Sequence, residues 1–148
     1  MLNSAHKILS QSAKAVPQKL AFITPSDSIT YISLDEKSSA LATQILNLNI
    51  NKSPILIILP KGIEAIISFF GVLKSGNFYT IIDENMPLER INKIIRTLCP
   101  ALLITSKDLA LNLDFLTILI DALPDFNPDQ PILNSVKIID TVLAYTLF

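Results

Sequence analysis

The sequence predicts an α/β domain whose strands lie parallel in one sheet. Three observations carry this. Short β-branched apolar runs alternate with segments of helical period, joined by short loops. One strand–helix–strand unit, from Ile55 to Asp83, is punctuated cleanly by proline and glycine. Half of the 148 residues are apolar and only 17% are charged, a balance that suits strands covered on both faces. A chain of this length fills one such domain and is too short for two large ones.

The elements follow in order. Leu2, Ala5, Leu9 and Ala13 recur at helical spacing, and Pro17 ends that helix. Apolar runs at Leu20–Ile23 and Ile29–Ile32 are expected as strands, parted by the turn-forming Pro25-Ser26-Asp27-Ser28. Leu34, Ser38, Leu41, Ala42, Ile45 and Leu46 then mark a second amphipathic helix. Ile55–Leu59 is a compact strand bounded by Pro54 and Pro60, and Ile63 to Lys74 is a strongly apolar helix. Gly76 stands where the end of that helix calls for a left-handed residue. Phe78–Ile82 is the next strand, and a strand, helix and strand so joined form a parallel βαβ unit.

Pro87 is expected in the first turn of another helix, where its missing N–H costs nothing. Leu88, Ile91, Ile95 and Leu98 give that helix an inner face, with Glu89, Arg90 and Lys93 in water. Ala101–Thr105 and Leu116–Ile120 are expected strands, with a short helical stretch at Lys107–Leu111 between them. Three prolines and three aspartates make Asp121 to Pro131 a solvated loop. Val142–Phe148 is a last apolar strand without a polar tail, which is the pattern of a truncated domain.

Several function classes carry little weight. The formal net charge of −1 offers no basic footprint, so nucleic acid is not an expected partner. No membrane partner is expected either. The most apolar stretch, Ile63 to Leu73, contains Glu64 and falls short of the roughly 18 apolar residues of a span. A secretory h-region is missing near Lys7 and Lys14, and a single cysteine cannot form an internal disulfide, so a cytoplasmic protein is expected.

Certain segments resemble a known family. Ile29-Thr30-Tyr31-Ile32-Ser33-Leu34, followed by Leu41-Ala42, resembles the first core motif of adenylation domains. Leu73-Lys74-Ser75-Gly76-Asn77-Phe78-Tyr79-Thr80-Ile81-Ile82-Asp83 resembles the second, with Pro87 and Arg90-Ile91 at the family's spacing beyond it. Leu143-Ala144-Tyr145-Thr146-Leu147-Phe148 is similar to the strand that leads into the family's phosphate-binding loop. The likeness runs in family order over nearly the whole chain. It is nearest to amino-acid-activating members, the nonribosomal peptide synthetase adenylation domains and D-alanine carrier-protein ligases, and less near to acyl-CoA synthetases.

This resemblance implies that residues 1–148 are the N-terminal portion of an AMP-binding (adenylation) domain, a layered parallel-sheet subdomain of an adenylate-forming enzyme. It would be truncated just before the phosphate-binding loop. The complete enzyme would use ATP and Mg²⁺ to activate a carboxylate, an amino acid by the nearest resemblance, as acyl-adenylate, then pass it to a thiol. Its partners would be the remaining ligase segment or a carrier protein. The fragment alone is expected to be inactive and to bind no cofactor. An alternative is a non-catalytic piece that complements a separately encoded ligase segment by strand addition. Two departures, Ile81 and Glu84, stand where the family often has proline.

No catalytic, cofactor-binding or metal residue is expected. Gly62, Gly71 and Gly76 are the only glycines, and they lie on one helix and its ends rather than in a phosphate cradle. Lys74 and Arg90 are expected as a C-terminal helix cation and a solvated helix residue rather than phosphate ligands. Asp83, at a strand end, is expected to organise the turn before Pro87 through backbone N–H groups. Cys99 is expected as a buried, inert thiol. His6 is the only histidine, which leaves no triad, and Asp121, Asp125 and Asp129 lack the spacing of a Ca²⁺ loop. Phe69 and Phe70 are expected in the core.

Overall fold

The computed structural model describes residues 5–109, 115–129 and 145–146. Its elements are α1 (Ala5–Ala15), β1 (Leu20–Ile23), β2 (Ser28–Thr30), α2 (Tyr31–Asn47), β3 (Pro54–Ile58), α3 (Ile63–Lys74), β4 (Phe78–Ile82), α4 (Leu88–Leu98), β5 (Leu102–Thr105), β6 (Thr117–Leu119) and β7 (Tyr145–Thr146). Five strands form one sheet in the order β6-β5-β3-β4-β7, every neighbouring pair parallel. The expected α/β fold with a parallel sheet is therefore what the chain adopts. β1 and β2 pair apart from it as an antiparallel hairpin, with Leu20 opposite Thr30 and Ile23 opposite Ser28.

The sheet separates two apolar layers because side chains alternate along each strand. Ile55, Ile57, Leu102 and Ile104 face α2 and α3, where they meet Leu41, Ile45, Ala65, Ile67 and Val72. Leu56, Ile58, Ile82 and Leu103 face the other way, onto Ile91 and Ile94 of α4. Ile55, Leu56 and Ile57 are wholly buried, and each such side chain contributes roughly 1.5–3 kcal/mol relative to exposure. That two-sided burial explains why β3 is an unbroken apolar run rather than an alternating one.

Several boundaries and inner positions differ from the expectation; β3, β5 and β6 shift by one residue at one or both ends. The strand expected over Ile29–Ile32 stops at Thr30, whose hydroxyl accepts from the Ser33 N–H at 3.2 Å and caps α2. Tyr31 and Ile32 are thus the first helical turn, a case of capping chemistry overriding β propensity. Pro87 lies one residue outside α4, at its N-cap, its carbonyl accepting from the Arg90 and Ile91 N–H groups. Leu88 is 52% exposed, and Ile94 takes the inner position instead. The Lys107–Leu111 turn is a 3₁₀ turn over Lys107–Leu109, and Ala110 and Leu111 lie outside the described residues.

Cys99 is also corrected: it is exposed. It ends α4 in the left-handed region at φ 48°, which turns its side chain off the core, and its thiol donates to the Arg96 carbonyl at 3.3 Å. Gly76 does take the left-handed conformation expected of it, at φ 78°. Of the expected last strand, Val142–Phe148, only Tyr145–Thr146 lies within the described residues, paired with Tyr79 and Thr80. Leu2 of the first helix, and Gln130 and Pro131 of the aspartate-rich loop, also lie outside them.

Candidate functional site

Open parallel sheets bind ligands outside the carboxyl ends of their strands, so that edge is where a site is sought. The chain runs from β3 to β4 on one side and then returns to β5 on the other side of β3. The switch point therefore lies between β3 and β5. There Thr105 donates its hydroxyl to the Ile58 carbonyl at 2.8 Å, closing the crevice with a buried bond.

One strand over, at the ends of β3 and β4, a cleft of about 450 Å³ is open. Its walls are Leu59, Pro60 and Lys61 on the β3 side and Ile81 to Asn85 on the β4 side. The sequence places these residues directly. Pro60 stops β3, and β4 ends where Asp83 begins a tight turn. The Asp83 carboxylate accepts from the Asn85 N–H at 2.8 Å, and its carbonyl accepts from Met86 at 3.1 Å. Asp83 thus organises the turn through backbone N–H groups, as expected. Ile81 and Glu84, which depart from the family pattern, both line the cleft and are half-buried there. Lys61, Asp83 and Glu84 line the cleft beside apolar Leu59, Pro60, Ile81 and Ile82, so it offers one cation and two carboxylates to a small polar ligand.

Glycine positions decide what this cleft can cradle. Gly62 opens α3 in an extended conformation with free space where a Cβ would stand, and no side chain caps that helix. Gly71 instead serves packing: a Cβ there would lie 2.6 Å from Leu41 Cδ2, so its absence lets α2 and α3 approach closely. Gly76 shapes the end of α3. One glycine beside the cleft does not make the run of backbone N–H groups that a nucleotide triphosphate needs. Among the described residues no three His, Cys, Asp or Glu side chains are grouped for a metal ion.

Lys74 stands far from a phosphate role. It is the cation in the last turn of α3, as expected, and it is buried there. Its ammonium donates to Asp35 Oδ1 at 2.7 Å, to the Asp35 carbonyl at 2.9 Å and to Ser39 Oγ at 2.8 Å. All three N–H bonds are thereby used. Burial lowers the Lys74 pKa, and the bond and charge of Asp35 pull it back only in part. The residues just after it continue the fastening. Asn77 is buried and donates to the Ile50 carbonyl, the Ser75 carbonyl and Ser75 Oγ, while its own carbonyl accepts from the Ser53 N–H at 2.9 Å. The segment from Lys74 to Asn77 binds α2, α3 and the entry to β3 together, at the opposite end of the sheet from the cleft. Sequence reasoning missed Asp35, Ser39 and Asn77; the one signal was a pair of serines, Ser38 and Ser39, set among apolar residues of α2.

The other candidates are placed as follows. Arg90 is exposed on α4, and His6 lies on α1. Phe69 and Phe70 are half-buried against the α2–α3 layer, and Phe69 stacks on Tyr79 at 4.5 Å with the rings 12° apart. Asp121 accepts from the Lys107 N–H at 3.2 Å, and Asp125 and Asp129 are exposed. No helix among the described residues is long and apolar enough to cross a membrane.

Comparison with known proteins adds to this geometry. The sequence model of a family described as "AMP-binding enzyme" matches residues 9–142. Phosphinothricin tripeptide synthetase PhsC of Streptomyces viridochromogenes is 33% identical over 153 residues, covering 97% of this chain and 14% of PhsC. Tyrocidine synthase 1 of Brevibacillus parabrevis is 28% identical over 108 residues, covering 72% of this chain and 10% of the synthase. Among solved structures, VinN superposes with a TM-score of 0.80 at 19% identity, over 97% of this chain and 41% of VinN. VinN with 3-methylaspartate gives 0.72 at 22% identity, over 80% of this chain and 35% of that one. These superpositions establish a shared fold. The chain spans a small part of the synthetases it matches and less than half of VinN.

Proposed function

The chain belongs to the AMP-binding enzyme family, whose model covers residues 9–142, and from this we propose that it is scaffold for an adenylate-forming ligase. The reading rests on that family match, supported by the five-strand parallel sheet shared with VinN. In it, residues 1–148 supply strands, helices and the tightly fastened Lys74–Asn77 segment. ATP, Mg²⁺ and the carboxylate are held by further residues of a complete adenylation domain. The relative PhsC is named as a tripeptide synthetase, which favours an amino acid as the carboxylate and a carrier domain as the acceptor partner.

The chain alone is inactive in this proposal. The direct test is ATP–pyrophosphate exchange by the purified 148-residue chain, run with a panel of amino acids and repeated after fusion to the remainder of an adenylation domain from a relative such as PhsC. No exchange alone, and exchange restored by fusion, is the expected result. Exchange by the isolated chain would sink the scaffold assignment. A well-folded fusion without exchange would favour the alternative, a non-catalytic piece that docks on a separate ligase segment.

A further inference from the structure

Far from the cleft, one carboxylate oxygen joins three helices. Asp35 Oδ1 on α2 takes the Lys74 ammonium of α3 at 2.7 Å and the Ser10 hydroxyl of α1 at 3.0 Å. Lys74 is held from the other side by the Asp35 carbonyl and Ser39 Oγ, so it fixes where that oxygen points. The Asp35 side chain is about a quarter exposed, at 24%, and without Lys74 it is free to swing into water. The apolar anchorage of α1 is thin by comparison. Leu9 and Ala13 are its buried side chains, while Ile8 is 50% exposed. Regions with few buried apolar contacts open locally at low cost while the core stays closed.

We propose that Asp35 and Lys74 form the catch of a latch that holds α1 on the domain, so that α1 opens as a unit while the sheet remains folded. Lys74 acts here as a positioning residue. It governs α1 by holding the carboxylate that Ser10 grips. The latch concerns this chain's own helices and stands whether or not the ligase assignment holds.

Amide hydrogen exchange on the full 148-residue chain tests it, comparing α1 with β3 in the parent, Ser10→Ala, Lys74→Met and the double variant. Ser10→Ala should speed exchange in α1 by about fivefold, the worth of one net hydrogen bond, with β3 changed much less. Lys74→Met should speed α1 by at least as much. In the Lys74→Met background, Ser10→Ala should add less than about twofold, because the oxygen it grips is already loose. Lys74→Gln serves as the second variant should Lys74→Met fail to fold, and Lys74→Arg should keep the Ser10 effect. An equal Ser10 effect in both backgrounds overturns the proposal, as does α1 exchange that rises only in step with β3.

Discussion

Replacing Gly71 by alanine tests the closest approach in the fold. In an isolated helix the change is favourable by about 1 kcal/mol, because alanine loses less backbone freedom than glycine. Here the new Cβ would stand 2.6, 2.8 and 2.9 Å from Leu41 Cδ2, Cγ and Cβ. Carbon atoms rest at about 3.5 Å or more, so the nearest contact falls short by about 0.9 Å. Leu41 is wholly buried, and its own Cβ is among the atoms struck, so a change of rotamer does not relieve the contact. α2 has to back away from α3, and such overpacking typically costs about 1–3 kcal/mol or more. With overpacking taken at its upper end of about 3 kcal/mol, because Leu41 Cβ itself is struck, the gain of about 1 kcal/mol in helix propensity leaves a net loss of about 2 kcal/mol. Urea unfolding followed by far-ultraviolet circular dichroism reads this as a lower midpoint at unchanged slope. The Leu41→Ala change alone should cost about 2–5 kcal/mol, and the double variant should cost less than the sum of the two, since each relieves the other. If Gly71→Ala unfolds at or above the parent's midpoint, the close packing of α2 on α3 does not constrain this fold.

Two further outcomes follow from buried polar groups. Thr80 is wholly buried and its hydroxyl has no hydrogen-bond partner among the described residues, so Thr80→Val, which keeps the shape, should raise stability by up to about 1 kcal/mol; a clear loss in the same urea assay would show that the hydroxyl is satisfied. The lowered pKa of Lys74 has a definite sign: the unfolded chain, with its lysine near 10.5, binds more protons than the folded one between the two pKa values, so stability rises with pH through that window and levels above it. Lys74→Met should remove that rise, and urea midpoints of both proteins as pH rises toward 10.5 give the comparison; a parent slope equal to or below that of the variant would contradict a net lowering.

Many local signals agree with the structure, although the Thr30 cap, itself local, outweighs the β propensity of Tyr31 and Ile32. The βαβ unit from β3 to β4 was legible because Pro54, Pro60 and Gly76 mark its joints and β-branched runs fill its strands. The left-handed Gly76 and the Asp83 turn were legible for the same reason, since each depends on a few neighbouring residues. Membership of the family was legible from ordered motifs, and it agrees with the match over residues 9–142. The cleft was legible only through Asp83, because its other wall comes from Lys61, about twenty residues earlier, and is brought there by strand pairing.

What the sequence by itself determined was therefore the kind and order of elements and the residues that punctuate them. Tertiary structure decided the rest. It buried Lys74, which the helix end alone marked only as a C-terminal cation, because Asp35 and Ser39 lie 39 and 35 residues away and supply its bonds. It exposed Leu88 and brought Ile94 inward instead. Propensity and spacing act over one or two turns of chain, whereas burial is settled by whichever distant element packs across a side chain, and only the folded sheet says which element that is.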